Sequence, residues 1–166
     1  MNISKFLKEE QIKLEIDHRF EPPEEGEPTP KYLWETKREI LEELVDILDL
    51  SGEIRNRNKA LQDLYNRERK ATTAIGRGIA IPHVRTIQAK SFVIGFTRSK
   101  EGCQFDSLDG KPVHVFFPMV APPYDDSLYL RVFKSLAELV KYPTFMTNLM
   151  EAESPHEVIR AIRDME

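Results

Sequence analysis

The sequence predicts an α/β fold, a sandwich of a mixed β-sheet flanked by helices on both faces. Short segments with strand-like apolar patterns alternate along the chain with longer segments whose apolar residues recur at helical spacing. The length of 166 residues is close to the roughly 150 residues of a typical domain. We therefore expect one domain over residues 1–166, with strands and helices built around a single core.

Composition and charge exclude several classes of protein. Hydrophobic residues make up 40% of the chain and charged residues 31%, which indicates an ordered globular protein. No apolar stretch approaches the roughly 20 residues that cross a bilayer, and Met1–Gln11 lacks the apolar run of a signal peptide. The single cysteine, Cys103, fits a reducing compartment. We expect a cytoplasmic protein without membrane insertion, and the net charge of −4 argues against general nucleic-acid binding.

The first half of the chain begins with a strand pattern and continues with two helices. Ile12, Leu14 and Ile16 alternate with charged residues, as in a half-buried strand. Residues 21–30 hold four Glu and four Pro, so this segment is predicted to be an exposed, acidic, proline-rich loop. Thr36 and Glu39 are then spaced as a capping box, which predicts that the first helix starts there.

That first helix is expected to end near Ser51-Gly52, where glycine favours a helix C-terminus. A second helix is predicted from about Asn58 to Lys70, because apolar residues recur at helical spacing and cations in the last turn complement the helix dipole. Strand-like segments follow at Ile79–Ile81, Phe92–Thr97 and Val113–Ala121.

Pro118 lacks a backbone donor, so the last of these strands is expected to be bulged or at an edge there. An Asp109-Gly110 turn signal introduces this strand. The C-terminal part of the chain predicts three helices. They begin near Ser127, after Pro143 and at Ser154-Pro155, where the last has an N-cap residue and a first-turn proline.

The segment at residues 74–85, AIGRGIAIPHVR, is the most distinctive part of the chain. Gly76 and Gly78 flank an arginine and predict a sharp turn, and Pro82 fixes the backbone just before His83. An imidazole titrates at about pH 6.5, so at neutral pH it offers an unprotonated nitrogen that can attack an electrophile such as phosphorus. Since a histidine after a strand is also common in purely structural roles, its neighbours decide between these interpretations.

Those neighbours are basic. Six cations against Glu68 give residues 67–90 a local charge of +5, which leaves −9 for the rest of the chain. The cations are Arg67, Arg69, Lys70, Arg77, Arg85 and Lys90. Arginine matches phosphate geometry, and the hydroxyls of Thr72 and Thr73 add hydrogen-bond donors. The segment therefore predicts a phosphohistidine site at His83. The candidates for binding the phosphoryl oxygens are Arg67, Arg69, Thr72, Thr73 and Arg85.

The remaining candidates for chemistry are weaker. His18 is expected to be solvated, His114 to be a satisfied strand residue, and His156 to lie on the surface. Cys103 is expected to be an inert, packed thiol. No histidine combines with cysteine or carboxylate residues at metal-ligand spacing, so no metal site is predicted.

The stretch Gly76-Arg77-Gly78-Ile79-Ala80-Ile81-Pro82-His83 resembles the active-site signature of the type-2 enzyme IIA domains of the bacterial phosphotransferase system. This class includes the fructose, mannitol and nitrogen-regulatory domains, and the chain resembles the nitrogen-regulatory branch most. The segments Asn66–Arg69, Asp109–Val113 and Ala121–Pro123 extend the resemblance through most of the chain.

The resemblance implies a phosphocarrier with no bound cofactor. The histidine that matches His83 would accept a phosphoryl group from the phosphohistidine of the small carrier HPr or its nitrogen-branch counterpart. Arg67, sixteen residues earlier, would lie at the phosphate. Downstream, a regulatory target protein or an IIB domain would be the partner.

The chain departs from the family pattern at several positions. Val84 stands where the family usually has Gly or Ala, and Arg77 where it often has Asn. Tyr129 stands where sugar-transporting relatives tend to have a second active-site histidine. Its phenol can donate a hydrogen bond, so we expect Tyr129 among the phosphate-binding residues, but it does not replace imidazole acid-base chemistry near neutral pH. The loop at 21–30 resembles an insertion.

Three functions remain open on the sequence alone: a phosphocarrier, a regulatory binding module that acts through a protein partner without obligatory phosphotransfer, and an unrelated phosphate-ester enzyme. Tyr129, and a chain that ends at Glu166 without a sugar-transfer domain, favour regulation over dedicated sugar transport.

Overall fold

The computed structural model describes residues 2–19, 21, 26, 29–125 and 127–166. These residues form five α-helices and eight strands, and two short 3-10 turns precede the first strand. The strands are β1 (Ile12–Glu15), β2 (Ala74–Gly76), β3 (Ile79–Ala80), β4 (His83–Arg85), β5 (Val93–Ile94), β6 (Phe96–Cys103), β7 (Val113–Phe116) and β8 (Met119–Ala121). The helices are α1 (Pro30–Asp49), α2 (Arg57–Lys70), α3 (Leu128–Leu139), α4 (Pro143–Glu151) and α5 (Pro155–Arg163).

The strands form two mixed sheets. The larger sheet has the order β1-β6-β7-β3-β2, with β1 and β6 parallel, β3 and β7 parallel, and the other two pairs antiparallel. The smaller sheet has the order β4-β8-β5, in which β8 is parallel to β4 and antiparallel to β5. The predicted mixed α/β sandwich is confirmed, with its strands divided between two sheets.

Three interruptions divide the strands between the sheets. Pro82 separates β3 from β4, Gly95 separates β5 from β6, and Pro118 separates β7 from β8. The Pro82 carbonyl accepts the Met119 N–H at 2.8 Å, and the Pro118 carbonyl accepts the Gly95 N–H at 2.9 Å. The irregularity expected at Pro118 is therefore confirmed, and His83 begins β4 at the junction of the two sheets.

Helices cover both faces of the larger sheet. Ile79 and Ile81 pack with α3, α4 and α5 in one buried cluster, whereas Ala80 between them packs with α1 and α2 in another. This alternation follows the two-residue period of a strand. The strand that leads to His83 is consequently held between two apolar layers.

The first helix has its N-cap at Thr29, seven residues before the predicted cap at Thr36. Thr29 is its N-cap, with Oγ1 accepting the Tyr32 N–H at 3.1 Å, and Pro30 occupies the first helical turn. The Thr36 capping-box prediction is wrong because Thr29-Pro30 is itself a strong start signal, and because Trp34 packs edge-on against Tyr65 of α2 at 4.4 Å.

The predicted loop at 21–30 thus ends before Pro30. Of its other residues only Glu21, Gly26 and Thr29 are among the described residues, and the Tyr32 hydroxyl donates a hydrogen bond to the Glu21 carbonyl.

The turn before β3 has the conformation that its glycines predict. Gly76, Arg77 and Gly78 have φ angles of 99°, 57° and 81°, and they join β2 to β3 as an antiparallel hairpin. The left-handed Arg77 is held by its backbone N–H, which donates to Asp109 Oδ2 at 3.0 Å. This hairpin fixes the start of β3, the strand that precedes Pro82 and His83.

Among the described residues, no helix is long and apolar enough to cross a membrane.

Candidate active site

His83 is partly buried at the start of β4, and one hydrogen bond orients its ring. Nδ1 lies 2.6 Å from the carbonyl oxygen of Ile81. Because a carbonyl only accepts, Nδ1 carries the proton and Nε2 keeps its lone pair. The ring centroid also lies 5.2 Å from that of Phe133 and 5.9 Å from that of Tyr129. The imidazole is therefore held in one tautomer, with the free lone pair on Nε2.

The surroundings of His83 keep its imidazole neutral. Burial is the main cause that lowers the pKa of His83 below its ordinary value, and the charge of Arg67 lowers it further. The Ile81 carbonyl and the charge of Glu68 act in the opposite direction but do not reverse the shift. A larger fraction of His83 is consequently in the nucleophilic form at neutral and mildly acidic pH.

Arg67 lies in the last turn of α2, close enough to His83 to act on its charge. Its Nη1 donates to the Ala71 carbonyl at 2.9 Å, which anchors one side of the guanidinium at the helix C-terminus. An arginine fork anchored at one nitrogen keeps further donors for a phosphoryl group. The structure therefore brings together the predicted nucleophile and the predicted phosphate-binding arginine.

Tyr129 lies beside the His83 ring, and Arg85 lies beside Tyr129. The Arg85 guanidinium carbon is 5.5 Å from the centre of the Tyr129 ring, and Nη1 donates to the Asp125 carbonyl at 3.3 Å. Tyr129 in turn contacts the His83 ring. These two predicted site residues are thus neighbours of the nucleophile, and an aromatic ring lies where the family resemblance places a second histidine.

Arg69, a predicted phosphate-binding residue, is directed elsewhere. Its guanidinium carbon lies 5.2 Å from the ring centre of Trp34 and 5.5 Å from that of Tyr65. Two residues along a helix correspond to a rotation of about 200°, so Arg67 and Arg69 face different directions. The structure does not bring Arg69 to His83.

The hydroxyls predicted at Thr72 and Thr73 are engaged in internal hydrogen bonds. Thr73 is buried, and its Oγ1 donates to Glu68 Oε2 at 2.7 Å. Thr72 Oγ1 donates to the Phe105 carbonyl at 3.4 Å and accepts from Lys37 Nζ at 3.2 Å. Both threonines therefore belong to a network behind the site rather than to its open side.

A buried ion pair in that network was not predicted. Lys37 Nζ lies 2.9 Å from Glu68 Oε1, and the two side chains are 4% and 0% exposed. Its partners lie on α1 and α2, 31 residues apart, so no local pattern joins them. A signal did exist: Lys37 precedes Ile40 and Leu41 by three and four residues, which places a cation on the apolar face of α1.

A shallow groove adjoins the site. It has a volume of about 360 Å³ and is lined by residues including Arg67, Lys70, Val84, Arg85 and Ile87. Ile87 is 69% exposed. The surface next to the nucleophile therefore combines cations with an accessible apolar side chain.

The other candidate residues serve structural roles. The prediction that His18 is solvated is wrong: it is 8% exposed, because Glu39 and Glu43 of α1 bind its Nδ1 and backbone N–H. His114 is satisfied as predicted, with Nδ1 2.9 Å from the Ser99 carbonyl. Burial raises the pKa of Cys103 to about 11, which confirms a packed, unreactive thiol.

In the part of the chain that the structure describes, no cluster of three or more His, Cys, Asp or Glu residues is arranged to hold a metal ion.

Comparison with known proteins identifies the family. The family model described as phosphoenolpyruvate-dependent sugar phosphotransferase system, EIIA 2, matches residues 30–165. The chain is 34% identical over 123 residues to the PTS system fructose-specific EIIA component of Haloferax volcanii, covering 74% of this chain and 80% of that protein. It is 32% identical over 162 residues to the PTS system fructose-specific EIIABC component of Bacillus subtilis, covering 98% of this chain but only 23% of that longer protein.

The fold agrees with this relationship. The crystal structure of nitrogen regulatory protein IIA-Ntr from Neisseria meningitidis superposes with a TM-score of 0.80 at 26% identity, covering 96% of this chain and 98% of the other. The matched segment includes the hairpin, His83, Arg67 and the groove. The chain belongs to the EIIA type 2 family of the phosphoenolpyruvate-dependent sugar phosphotransferase system.

Proposed function

We propose that this chain is a phosphocarrier whose His83 accepts a phosphoryl group on Nε2 from the phosphohistidine of an HPr-like donor protein. The observation that carries the proposal is the hydrogen bond from Nδ1 to the Ile81 carbonyl, which directs the lone pair to Nε2. The family of the chain supports the same chemistry.

The transfer needs no separate acid or base. The Nε2 lone pair of His83 forms the new P–N bond while the donor P–N bond breaks and its electron pair returns to the donor imidazole. The Nδ1 proton stays on His83, bonded to the Ile81 carbonyl. Catalysis then rests on positioning and on stabilisation of the phosphoryl charge.

Cations beside His83 supply that stabilisation. Arg67 presents a planar fork that suits two phosphoryl oxygens, and Arg85 adds a second positive charge. Tyr129 adds a phenolic donor next to the ring. Arg69, Thr72 and Thr73 act indirectly in this proposal, because their side chains contact protein groups behind the site.

Intact-mass measurement tests this function. The protein is incubated with phosphoenolpyruvate, enzyme I and an HPr-like carrier, and we expect a gain of about 80 Da that is lost in acid. The variant His83→Gln should gain nothing, whereas His114→Gln should behave as wild type. Acid-labile phosphate on His83→Gln, or no phosphate on the wild type, would refute the proposal.

Tyr129 favours a regulatory role over sugar transport as the use of this phosphoryl group. A phenol beside His83 cannot relay protons near neutral pH as a second imidazole would. The alternative downstream partner is a sugar-specific IIB domain. Mixing the phosphorylated protein with fructose-type IIB domains separates the two: rapid loss of phosphate to IIB supports transport, and retention supports regulation through another protein.

A further inference from the structure

The ion pair between Lys37 and Glu68 lies directly behind the active site. Both carboxylate oxygens of Glu68 are used: Oε1 binds Lys37 Nζ and the Thr73 N–H, each at 2.9 Å, and Oε2 accepts the Thr73 hydroxyl at 2.7 Å. With both side chains almost fully buried, these bonds are shielded from water. Glu68 therefore clamps Thr73 at the point where the chain leaves α2 and enters β2.

Two backbone hydrogen bonds connect this clamp to the nucleophile. The Thr73 carbonyl accepts the N–H of Ile81 at 3.0 Å. The carbonyl of the same Ile81 accepts the Nδ1 proton of His83 at 2.6 Å. A continuous path of hydrogen bonds thus runs from Glu68 through Thr73 and Ile81 to the imidazole.

The same carboxylate is adjacent in sequence to Arg67. One turn of α2 therefore carries both the predicted phosphate-binding side chain and the residue that anchors the strand leading to His83. A shift of Glu68 would change the separation between Arg67 and His83 Nε2. Such a change matters because a displacement of about 1 Å at a reacting group can slow a reaction about a hundredfold.

We propose that Glu68, paired with Lys37, is a positioning residue that fixes the tautomer and direction of His83 relative to Arg67. The role in transfer rests on the phosphocarrier function proposed above, whereas the role in orienting the ring does not.

Stability alone does not explain this arrangement. Replacing a buried ion pair with apolar residues of similar volume is often neutral or stabilising, although removing one partner is costly. The double variant Lys37→Met/Glu68→Leu therefore removes both charges together and leaves no unpaired buried ion. The matched control is Arg98→Met/Glu15→Leu, which removes the ion pair between β6 and β1.

The test measures the tautomer of His83 before transfer and the rate of phosphoryl transfer. In the unphosphorylated double variant, ¹⁵N NMR should show a mixture of His83 tautomers in place of the single Nδ1–H form. The control variant Arg98→Met/Glu15→Leu should give the same His83 spectrum as the wild type. The maximal transfer rate should fall about tenfold or more, with the donor concentration for half-maximal rate unchanged. Thr73→Val, which loses only the hydroxyl, should show the same defects in smaller degree, and Thr73→Ser should restore the wild-type tautomer.

Three results would contradict one or other of these proposals. A folded double variant with the wild-type tautomer and transfer rate would overturn the positioning role, and so would wild-type behaviour of Thr73→Val if the double variant does not fold. A wild-type protein that is never phosphorylated would refute the phosphocarrier function, but its tautomer spectrum would still test the role of Glu68.

Discussion

A single carbonyl group selects the reactive nitrogen of His83. Without the Ile81 acceptor, the two tautomers of a neutral imidazole would compete, and Nε2 would carry the proton in part of the population. Burial and the charge of Arg67 add a second bias by keeping the ring neutral. Both effects suit the role of phosphoryl acceptor that we propose for His83.

The first prediction concerns the pH dependence of His83. Because its pKa is lowered, the folded protein keeps a neutral imidazole as the pH falls through about 6.5, where a histidine in the unfolded chain becomes protonated. The stability that this difference contributes is present above pH 6.5 or so, and it is lost as the pH falls through the folded-state pKa. An NMR titration should give a pKa for His83 below the ordinary value, and Arg67→Met should raise that pKa. A wild-type pKa at or above about 6.5 would contradict this interpretation.

The second prediction concerns the geometry of Arg67. Arg67→Lys keeps the charge but loses the planar fork, so we expect the phosphoryl-transfer rate to fall about tenfold or more. The free energy of unfolding should change by about 1 kcal/mol or less, since Arg67 makes one backbone hydrogen bond at the end of α2. Rapid-quench reactions with a phosphorylated donor measure the transfer rate, and chemical denaturation measures the free energy of unfolding.

Arg69→Ala is the control for this experiment. Its loss of contact with Trp34 and Tyr65 should cost about 0.5 to 1 kcal/mol of stability with a much smaller effect on transfer. If Arg67→Lys transfers at the wild-type rate, Arg67 does not bind the phosphoryl group.

At the level of secondary structure, the division into two sheets places the partly buried His83 at their junction. The interruption at Gly95 depends on close packing, because a Cβ at this position would lie 2.9 Å from Ile47 Cγ2 and 3.2 Å from the Gln11 carbonyl oxygen. Gly95 therefore lets β5 and β6 pass beside α1.

Substitution of Gly95 tests that contact. Gly95→Ala should lower the free energy of unfolding by about 1 to 3 kcal/mol through overpacking. Ile47→Ala removes the clashing methyl group, so the double variant should lose less stability than the sum of the two single variants. Denaturant titrations of the four proteins measure this coupling, and additive losses would mean that Ile47 does not restrict this position.

Secondary-structure features were predictable from the sequence where they depend on one residue or its immediate neighbours. Pro118 and the two glycines around Arg77 each impose backbone geometry by themselves. The strand irregularity at Pro118 and the turn around Arg77 were therefore predicted. The start of α1 was misplaced because two capping signals, at Thr29 and Thr36, compete, and the contact between Trp34 and Tyr65 decides between them.

At the level of the whole molecule, the charge is unevenly distributed. Residues 67–90 carry +5 while the whole chain carries −4, and Arg67, Lys70 and Arg85 from this segment line the groove beside His83. A positive surface around the nucleophile should attract a partner whose docking face carries acidic side chains.

Ionic strength tests this attraction. The second-order rate of phosphoryl transfer should fall severalfold as salt rises from about 0.01 to 0.15 M, because screening shortens the Debye length from about 30 to 8 Å. Lys70→Glu should slow transfer at low salt and weaken its salt dependence. Lys100→Glu, on β6 of the larger sheet, makes the same charge change as a control. Equal rates for the two variants would show that the basic groove does not guide the encounter.

Features that depend on distant parts of the chain could not be predicted. The motif up to Pro82 and His83 pointed to the proposed nucleophile, because each of its residues restricts a neighbouring one. The burial of His18 depends on two carboxylates of α1, and the clamp at Glu68 depends on a lysine 31 residues away. Arg67 and Arg69 belong to the same basic segment, and the different directions of their side chains depend on the packing of α2.

The position of the phosphorus atom tests the central claim most directly. With ¹⁵N-labelled protein phosphorylated by an HPr-like donor, ³¹P–¹⁵N coupling identifies the bonded nitrogen. We predict a coupling to Nε2 of His83, with the Nδ1 proton still hydrogen-bonded to the Ile81 carbonyl. A coupling to Nδ1 of His83, or to a nitrogen of His114 or another histidine, would contradict the account.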